Sequence, residues 1–235
     1  MESNRYNEIL AVVLARGGSE RLPGKNLKKI GKYSLTELAV KTAMDLGIET
    51  LVSSDCKKIL QIASKSGANT HLRSFEFSTA KTKSETSLIN ILHSQPNIAI
   101  NKKELLLLQP TSPLRTSDQL YSFLSEWQML KNSKKINQAI SVTLDRSDFW
   151  FVYKGKPKRI REIFEGSNVV RTTLGRTPLY RENGLFYITK IKTLMETGSL
   201  VKSKLGLIIT DKKTSIDIDD GEDLEIARAI YRYGK

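Results

Sequence analysis

The sequence of 235 residues is poor in cysteine and histidine, with a single cysteine, Cys56, and two histidines. One cysteine excludes an intrachain disulfide framework and indicates a reducing compartment. His71 and His93 are spaced from each other and from Cys56 unlike zinc ligands. The G-x-S-x-G elbow of serine hydrolases is also missing. These absences argue against a disulfide-rich secreted protein, a zinc site and a serine hydrolase.

Long hydrophobic runs are missing as well. No stretch approaches the roughly 18 apolar residues needed to span a bilayer. The first ten residues, MESNRYNEIL, lack the basic and then apolar layout of a signal peptide. We therefore expect a cytoplasmic protein without a membrane partner.

Acidic residues are in the minority, with 25 Asp and Glu against 38 Lys and Arg, which gives a formal net charge of +13. Such an excess can indicate nucleic-acid binding, because cations neutralise the phosphate backbone. Aromatic residues make up only 7% of the chain, and no sequence signature of a nucleic-acid-binding module is present. We therefore favour a basic surface with a site for a small polyanion, and expect no nucleic-acid partner.

Short apolar runs alternate with helical patterns along most of the chain. The runs predict strands at 9–14, 50–53, 105–108, 139–143, 185–188 and 205–209. Apolar residues at helical spacing predict helices at 34–46, 84–92, 117–130 and 222–231, and a further helix between Ser54 and Gly67. Strands that alternate with helices predict an α/β fold whose mostly parallel sheet is covered on both faces.

The pattern changes between residues 146 and 182, which hold aromatic residues, many cations, glycine and proline without a clear helix. We interpret this segment as a lobe of irregular strands inserted into one domain that spans residues 1–235. The lobe interrupts the α/β alternation, which resumes with the strand at 185–188.

A glycine-rich loop, LARGGSERLPGKN at 14–26, follows the first predicted strand. It is not a Walker A loop, because Asn26 follows Lys25 where a Ser or Thr should stand, and it lacks the G-x-G-x-x-G of dinucleotide-binding loops. Glycines let backbone N–H groups approach phosphate oxygens, and Arg16, Arg21 and Lys25 could neutralise a triphosphate. An ordinary surface loop with scattered cations is the alternative.

Two further stretches carry polar groups at predicted strand ends. Asp217 and Asp219 alternate, and on a strand both would point to one face as a site for Mg²⁺. An acidic cap on the next helix is the alternative, and Asp220 or Glu222 could supply it. Gln109 follows a buried strand at the edge where α/β sheets bind ligands, and its amide offers a donor and an acceptor to a sugar. A turn with only local hydrogen bonds is the alternative for Gln109.

Four motifs in order resemble those of the cytidylyltransferases that activate sialic acids and related nine-carbon keto acids. The loop contains A-R-x-G-S-x-x-x-x-x-K-N, and residues 108–115 read LQPTSPLR. Residues 182–188, ENGLFYI, are similar to the family's NGxxYI, and 215–224, SIDIDDGEDL, to its DIDxxxDL. The four motifs run from one end of the chain to the other.

This resemblance implies a Rossmann-like, three-layer α/β/α nucleotide-diphospho-sugar transferase fold, with 146–182 as a small dimerisation insertion. It implies a Mg²⁺-dependent homodimer that transfers CMP from CTP to the anomeric hydroxyl of a nonulosonic acid and releases pyrophosphate. The implied catalytic residues are Arg16, Lys25, Asp217 and Asp219, the last two also being the metal ligands. The implied nucleotide-binding residues are Ala15, Arg16, Gly18, Ser19, Lys25, Asn26, Arg73 and Ser84. The implied sugar-binding residues are Gln109, Arg171, Asn183 and Phe186.

The sequence departs from the family pattern in two places. Ser74 follows Arg73 where relatives usually carry proline, and Ala80 and Lys81 stand near the usual position of an aspartate. Residues 170–173 read VRTT where relatives often carry an arginine pair and glutamine. Either Arg171 or Arg176 could hold the sugar carboxylate. The close alternative is a synthetase for an eight-carbon keto acid such as Kdo, or another sugar nucleotidyltransferase. A non-catalytic nucleotide- or nucleic-acid-binding module is the alternative from another class.

Overall fold

The structure, a computed structural model, describes residues 5–165, 177–202 and 204–234. In chain order its strands are β1 Ile9–Leu14, β2 Lys29–Ile30, β3 Tyr33–Ser34, β4 Thr50–Ser54, β5 Asn69–Leu72, β6 Glu104–Leu107, β7 Gln138–Asp145, β8 Trp150–Tyr153, β9 Lys156–Arg159, β10 Leu179–Lys190 and β11 Leu205–Ile209. Its helices are α1 Leu35–Met44, α2 Lys57–Lys65, α3 Ser84–Ser94, α4 Pro96–Ala99, α5 Ser117–Ser133, α6 Arg161–Glu165, α7 Ile191–Thr197 and α8 Gly221–Tyr233. Short 3-10 helices cover Lys25–Leu27, Phe75–Phe77 and Lys212–Thr214.

The central sheet has seven strands in the order β11-β7-β10-β6-β1-β4-β5. β1 pairs in parallel with β4 and β6, β4 with β5, and β7 with β11. β10 runs antiparallel between β6 and β7. The predicted α/β fold with a mostly parallel sheet is therefore confirmed. The parallel strands of such a sheet end at one edge, where its ligands usually bind.

Helices cover both faces of this sheet, which explains why β1 is apolar along its whole length. On one face Val13 belongs to a buried cluster with Ala39 of α1 and Phe123 of α5. On the other face Val12 belongs to a cluster with Leu88 of α3. The three layers of the predicted fold are thus helices, sheet and helices.

In a third apolar cluster, residues near the C-terminus pack against residues near the N-terminus. Ile218, Leu224 and Ala227 pack there with Ile30 and Leu35. α8 starts after Asp220, which forms a capping box with Asp223: the Asp220 side chain accepts hydrogen bonds from backbone N–H groups of the first turn, and the Asp223 side chain accepts one from Asp220 N. This packing fixes the segment before α8 beside the loop that follows β1.

Two parts of the sheet differ from the predictions. β5 was not predicted, because Asn69, Thr70 and Leu72 are exposed in this edge strand and give no apolar run. β10 is twelve residues long and starts at Leu179, so it extends into the segment predicted as the inserted lobe. Its antiparallel direction also departs from a simple alternation of strands and helices.

The predicted lobe at 146–182 contains a two-stranded hairpin, β8–β9, and the short helix α6, although no helix was expected. Residues 166–176 lie outside the described residues. Arg161, which is only 2% exposed, ties this region together. Its guanidinium donates to Asp148 Oδ1 at 3.2 Å and to the backbone carbonyls of Ser147 and Thr177. A buried cation therefore stabilises the base of the hairpin.

The longest helix within the described ranges is α5, with 17 residues. It begins with a capping box between Thr116 and Gln119, and its apolar face contributes Leu120, Phe123 and Trp127 to the core. No helix in the described part of the chain combines the length and the apolarity needed to cross a membrane.

Lowering the pH below about 6.5, the ordinary pKa of histidine, should destabilise the protein through His71. Burial lowers the pKa of His71, and the positive charge of Arg73 lowers it further. Between the lowered pKa and 6.5 the unfolded chain binds more protons than the folded one, so stability falls as the pH falls through this window.

Urea unfolding between pH 5 and 7.5 tests this effect. His71 Nδ1 lies 3.0 Å from Ser53 Oγ and its Nε2 lies 3.3 Å from Ser94 Oγ, so the neutral ring is held between two hydroxyls. His71→Gln should be less stable at pH 7.5 but should lose less stability on acidification. An equally steep pH dependence in His71→Gln would contradict the assignment.

Candidate active site

The loop after β1 is held in a defined shape by its own polar groups. Gly17 N donates to Asp55 Oδ1 at 2.7 Å, and Asn26 Nδ2 donates to the carbonyl of Arg16 at 2.8 Å. Gly24 has a φ of 65°, a left-handed conformation that glycine adopts without strain, at the start of the 3-10 helix Lys25–Leu27. These hydrogen bonds and the glycine turn fix the conformation of the loop, and with it the positions of its side chains.

A cavity of about 240 Å³ opens beside this loop, and we call it the nucleotide cavity. It is lined by Arg16, Ser19, Lys25, Asn26, Arg73, Phe77, Ser84 and Gln109, among others. Six of the eight residues predicted to bind the nucleotide are in this set. Ala15 and Gly18 are not: the Ala15 side chain is buried in the core and its N–H donates to Ser53, so only its carbonyl group could reach a ligand.

Two guanidinium groups, those of Arg16 and Arg73, contribute with Lys25 to the positive charge of the nucleotide cavity. Arg73 is only 5% exposed, and its Nε donates to Ser78 Oγ at 3.1 Å. Burial lowers the pKa of Arg73; Asp55 opposes this effect, whereas the nearby charge of Arg16 adds to it. Two cations close enough to disfavour each other are stabilised by an anion between them. The arrangement suits phosphate oxygens.

Two residues that line this cavity carry polar groups without a protein partner among the described residues. Asn26 Oδ1 is enclosed by protein and has no hydrogen-bond partner within the described residues. Helix α3 begins at Ser84, which lines the cavity, and Lys83 before it gives no side-chain cap. The first N–H groups of α3 are thus available to oxygens, as at other anion-binding helix ends.

A second cavity, of about 760 Å³, adjoins the first, and we call it the acceptor cavity. Gln109 lines both cavities and therefore stands at their junction. The acceptor cavity is also lined by Arg181, Glu182, Asn183, Gly184, Tyr187, Lys212, Asp217, Asp219 and Asp223. Its position beyond the carboxyl end of β6 is the expected place for a ligand in an α/β sheet.

Asp217 and Asp219 both line the acceptor cavity, but they do not lie on a strand as predicted. Residues 215–219 form a connection without regular secondary structure between the 3-10 helix Lys212–Thr214 and α8, and they pair with no strand of the described residues. Ile218 between them is buried, and its N–H donates to the carbonyl of Thr111 at 2.8 Å. The buried Ile218 turns both neighbouring carboxylates towards the cavity. The capping role is taken by Asp220 instead.

The glycine-rich loop and this acidic segment are joined directly. Lys25 Nζ donates to the carbonyl of Ile218 at 2.8 Å and lies 3.6 Å from Asp219 Oδ1. Arg21 pairs with the same oxygen of Asp219 at 2.7 Å. Motifs almost two hundred positions apart in the sequence therefore meet at one point between the two cavities.

The donor set fits Mg²⁺. This ion is held by one or two carboxylates and completes its shell with water and substrate phosphate. Asp217 and Asp219 supply two carboxylates beside the loop cations. In the described residues no group of three or more His, Cys, Asp or Glu side chains is placed to hold a metal. The described residues therefore do not form a site in which protein side chains supply most of the metal ligands. Two carboxylates can form a site that water and substrate oxygens complete.

Arg115, the last residue of the 108–115 motif, has a role that sequence reasoning missed. It is 5% exposed, and its guanidinium donates to the carbonyls of Ser112 at 2.8 Å, Leu185 at 3.0 Å and Gln109. Burial lowers its pKa to about 9, with Asp217 and Tyr187 acting in the opposite direction, so it stays charged at neutral pH. One buried cation therefore joins the Gln109 turn to β10.

The residues predicted to bind the sugar lie in different environments. Gln109 lines the acceptor cavity. Asn183 borders it, but its amide is used internally: Nδ2 donates to Thr143 and Thr210, and Oδ1 accepts from Ser141 Oγ at 2.6 Å. Asn183 therefore fixes the irregular part of β10, between Glu182 and Tyr187, where the pairing with β7 shifts register.

Phe186 is a correction. Its ring is fully buried in the core, 5.1 Å from the ring of Phe123, and it borders neither cavity. The prediction that it contacts the sugar is wrong, because alternation along β10 turns this side chain into the opposite layer. The predicted carboxylate ligand Arg171, and Arg176 as its alternative, lie outside the described residues.

Gly17→Ala should destabilise the protein by about 1–3 kcal/mol, because the packed loop leaves no room for a side chain. A Cβ at Gly17 would lie 2.8 Å from the Cβ of Cys56. The matched control is Gly18→Ala, whose Cβ would meet nothing within 4 Å. Thermal unfolding of both variants tests the difference, and Cys56→Gly should partly rescue Gly17→Ala. Equal melting temperatures for the two alanine variants would contradict this packing.

Comparison with known proteins identifies the family of the chain. The sequence pattern of a family described as cytidylyltransferase matches residues 10–196. The chain is 29% identical over 223 residues to the CMP-N,N'-diacetyllegionaminic acid synthase of Legionella pneumophila, covering 90% of each chain. It is 25% identical over 240 residues to a pseudaminic acid cytidylyltransferase of Campylobacter jejuni, covering 95% of this chain and 96% of that one.

Solved structures show the same fold. A CMP:2-keto-3-deoxy-manno-octonic acid synthetase complexed with CTP superposes with a TM-score of 0.67 at 16% identity, covering 97% of this chain and 100% of that one. A 4-diphosphocytidyl-2C-methyl-D-erythritol synthase from Anaerococcus prevotii superposes with a TM-score of 0.65 at 14% identity, covering 96% and 99%. These likenesses confirm the predicted nucleotidyltransferase fold. With four ordered motifs and a family match over most of its length, the chain belongs to the cytidylyltransferase family.

Proposed function

We propose that the protein transfers CMP from CTP to the anomeric hydroxyl of a nonulosonic acid and releases pyrophosphate. The observation that carries this proposal is the contact of Lys25 with Ile218 and Asp219 at the junction of the two cavities. This contact joins the basic nucleotide cavity to the larger polar acceptor cavity, so a nucleotide and an acceptor bound in them would meet there. The relatives named for legionaminic and pseudaminic acid support a nine-carbon acid as acceptor.

The chain's own residues suit this reaction. Arg16, Lys25 and Arg73 neutralise the triphosphate, and Ser19 lines the same cavity, whereas the Gly17 N–H is already bonded to Asp55. Because Lys25 is anchored on the Ile218 carbonyl, its charge is fixed where negative charge grows on the leaving pyrophosphate. Pre-positioned charge of this kind lowers the barrier without reorganisation during the reaction.

Asp217 and Asp219 would hold Mg²⁺, which supplies positive charge at the α-phosphate and the attacking hydroxyl. Arg21 and Lys25 neutralise Asp219 in the ligand-free chain. The Arg21–Asp219 pair is exposed, and exposed ion pairs are worth little, so Arg21 can move to phosphate oxygens when the triphosphate arrives, while Lys25 stays on the Ile218 carbonyl. Gln109 offers hydrogen bonds to the sugar from the boundary of the two cavities.

The hairpin β8–β9 supports a homodimer. It exposes Trp150, Val152 and Tyr153, with exposed fractions of 55%, 73% and 54%. A cluster of exposed aromatic and aliphatic side chains is typical of an interface. We expect the mass of a dimer in light scattering at micromolar concentration, and a monomer would contradict the proposed interface. The cytoplasmic location stays a prediction from the sequence.

Pyrophosphate release with CTP and a panel of keto-acid sugars tests the function. We expect turnover with at least one of legionaminic, pseudaminic and N-acetylneuraminic acid, and loss of turnover with EDTA. A preference for 2-keto-3-deoxy-manno-octonic acid would favour the eight-carbon alternative. No turnover with any sugar, together with tight and salt-dependent RNA binding, would favour the non-catalytic module.

A further inference from the structure

Gly184 lies in the irregular part of β10 and lines the acceptor cavity. Its φ is 72°, in the left-handed region that glycine adopts without strain. The residues on both sides of it are fixed. Asn183 is held by the hydrogen bonds given above, and Leu185 N donates to Asn183 Oδ1 at 3.3 Å while the Leu185 carbonyl accepts from Arg115. The backbone of Gly184 therefore has a defined place in the cavity wall.

This part of the wall lies directly against the Gln109 amide. A Cβ added at Gly184 would lie 3.2 Å from Gln109 Oε1 and 3.1 Å from Ser112 Oγ. Both distances are tighter than a side-chain carbon usually keeps, so a side chain at this position would have to displace one of the two neighbours. The absence of a side chain at Gly184 therefore lets the Gln109 amide lie where it does.

Of these two neighbours, Gln109 is the one that can move. Arg115 holds the main-chain carbonyl of Gln109, but no hydrogen bond from the described residues holds its side-chain amide. Ser112 is fully buried, and both its N–H and its carbonyl are hydrogen-bonded. A methyl group at position 184 would therefore push the Gln109 amide away and leave Ser112 in place.

The place of this amide matters because Gln109 lines both cavities. Its donor and acceptor groups share one plane, and hydrogen bonds weaken steeply when their distance and angle depart from the preferred values. A misplacement of about 1 Å can cost about a hundredfold in rate. A wall that fixes the amide from behind thus contributes to the alignment of whatever the amide binds.

We propose that Gly184 is a positioning residue that sets the place of the Gln109 amide and, through it, the alignment of the acceptor at the junction of the two cavities. This inference rests on the proposed function, because Gln109 is the group through which Gly184 acts on the acceptor. It assigns Gly184 a task beyond its backbone conformation. The glycine is needed for the close approach of the amide as well as for its φ.

The test compares Gly184→Ala with Gly47→Ala. Gly47 has a φ of 69°, and a Cβ added there would meet nothing within 4 Å, so the two variants share the backbone strain but only one contacts Gln109. We expect Gly184→Ala to raise KM about tenfold for whichever of legionaminic, pseudaminic and N-acetylneuraminic acid the wild type uses best, with KM for CTP within about twofold of wild type. Gly47→Ala should leave both KM values unchanged.

Gly184→Asn keeps the test valid if the alanine variant is too unstable to assay. Asparagine tolerates the left-handed conformation better than alanine and brings the same Cβ. Its KM for the acceptor should therefore rise at least as much as that of Gly184→Ala, again with little change in KM for CTP.

Two double variants separate positioning of the amide from general damage to the site. Gln109→Ala removes the amide, so adding Gly184→Ala to it should change the acceptor KM by less than about twofold. Ser112→Ala removes an Oγ that has no partner within the described residues, and it should partly restore the acceptor KM of Gly184→Ala by making room for the methyl group.

A wild-type acceptor KM in both Gly184 variants, or effects that multiply in the Gln109→Ala background, would overturn the inference. The proposed function would stand in that case, because the wild type still turns over its keto acid. A wild-type protein without turnover on any keto acid would overturn the proposed function and the inference with it.

Discussion

Replacement of Asp217 or Asp219 by asparagine should lower the turnover number about a thousandfold and leave the fold intact. Each change keeps the shape of the side chain but removes one of the two carboxylates that flank the buried Ile218. Loss of an electrostatic element at the reacting phosphate typically costs two to three orders of magnitude in rate. Initial rates of pyrophosphate release at saturating CTP and acceptor measure the effect.

The control for this experiment is Glu222→Gln. Glu222 is an exposed acid close in sequence to Asp219, in the first turn of α8, and it lines neither cavity. Its replacement should change the rate less than twofold. Binding of Mn²⁺ to each variant, followed by electron paramagnetic resonance, separates loss of the metal from loss of a general acidic environment. An Asp219→Asn variant with wild-type turnover would remove the basis for the proposed metal site.

Replacement of Arg115 by methionine should cost about 3–5 kcal/mol of the free energy of unfolding. Methionine fills much of the volume but leaves the carbonyls of Gln109, Ser112 and Leu185 without their shared donor in a buried place. Buried polar groups that lose their partner cost about 1–3 kcal/mol each. For a chain of this size the melting temperature should fall by about 10 °C or more.

Two further variants show whether the loss of stability comes from the three hydrogen bonds of the Arg115 guanidinium. Arg115→Lys keeps the positive charge but cannot reach three carbonyls in a planar arrangement, so its loss of stability should be intermediate. Arg228→Met removes an arginine of α8 that bonds Glu225 and the carbonyl of Lys29 at the surface, and it should cost less than about 1 kcal/mol. Equal stability of Arg115→Met and Arg228→Met would contradict the structural role of Arg115.

The main strands and helices could be predicted because their signals are local. The run at 9–14 is apolar throughout, and Ser34 with Glu37 forms the capping box of α1. β5 and the direction of β10 could not be predicted for physical reasons. An edge strand exposes polar side chains, and the direction of a strand depends on which neighbours it joins, not on its own composition.

The candidate site likewise contains residues that a local motif identifies and contacts that appear only in the folded chain. Arg16, Ser19 and Lys25 lie on one short loop, so a motif identifies them. The contact of Lys25 with the Ile218 carbonyl could only be seen once the chain is folded. Phe186 was misassigned because β10 is buried on both faces, as its run of buried residues shows. In such a strand polar and apolar side chains no longer alternate, so the sequence does not tell which face meets the ligand.

The contact between Lys25 and Ile218 has a consequence for how the protein is made. A growing chain carries the glycine-rich loop from the start of synthesis, but it lacks the carboxylates and the anchor of Lys25 until residues 217–219 have been added. The same late residues bring Ile218, Leu224 and Ala227, which cover Ile30 and Leu35. A chain interrupted before this point therefore leaves an apolar patch bare beside a half-built site.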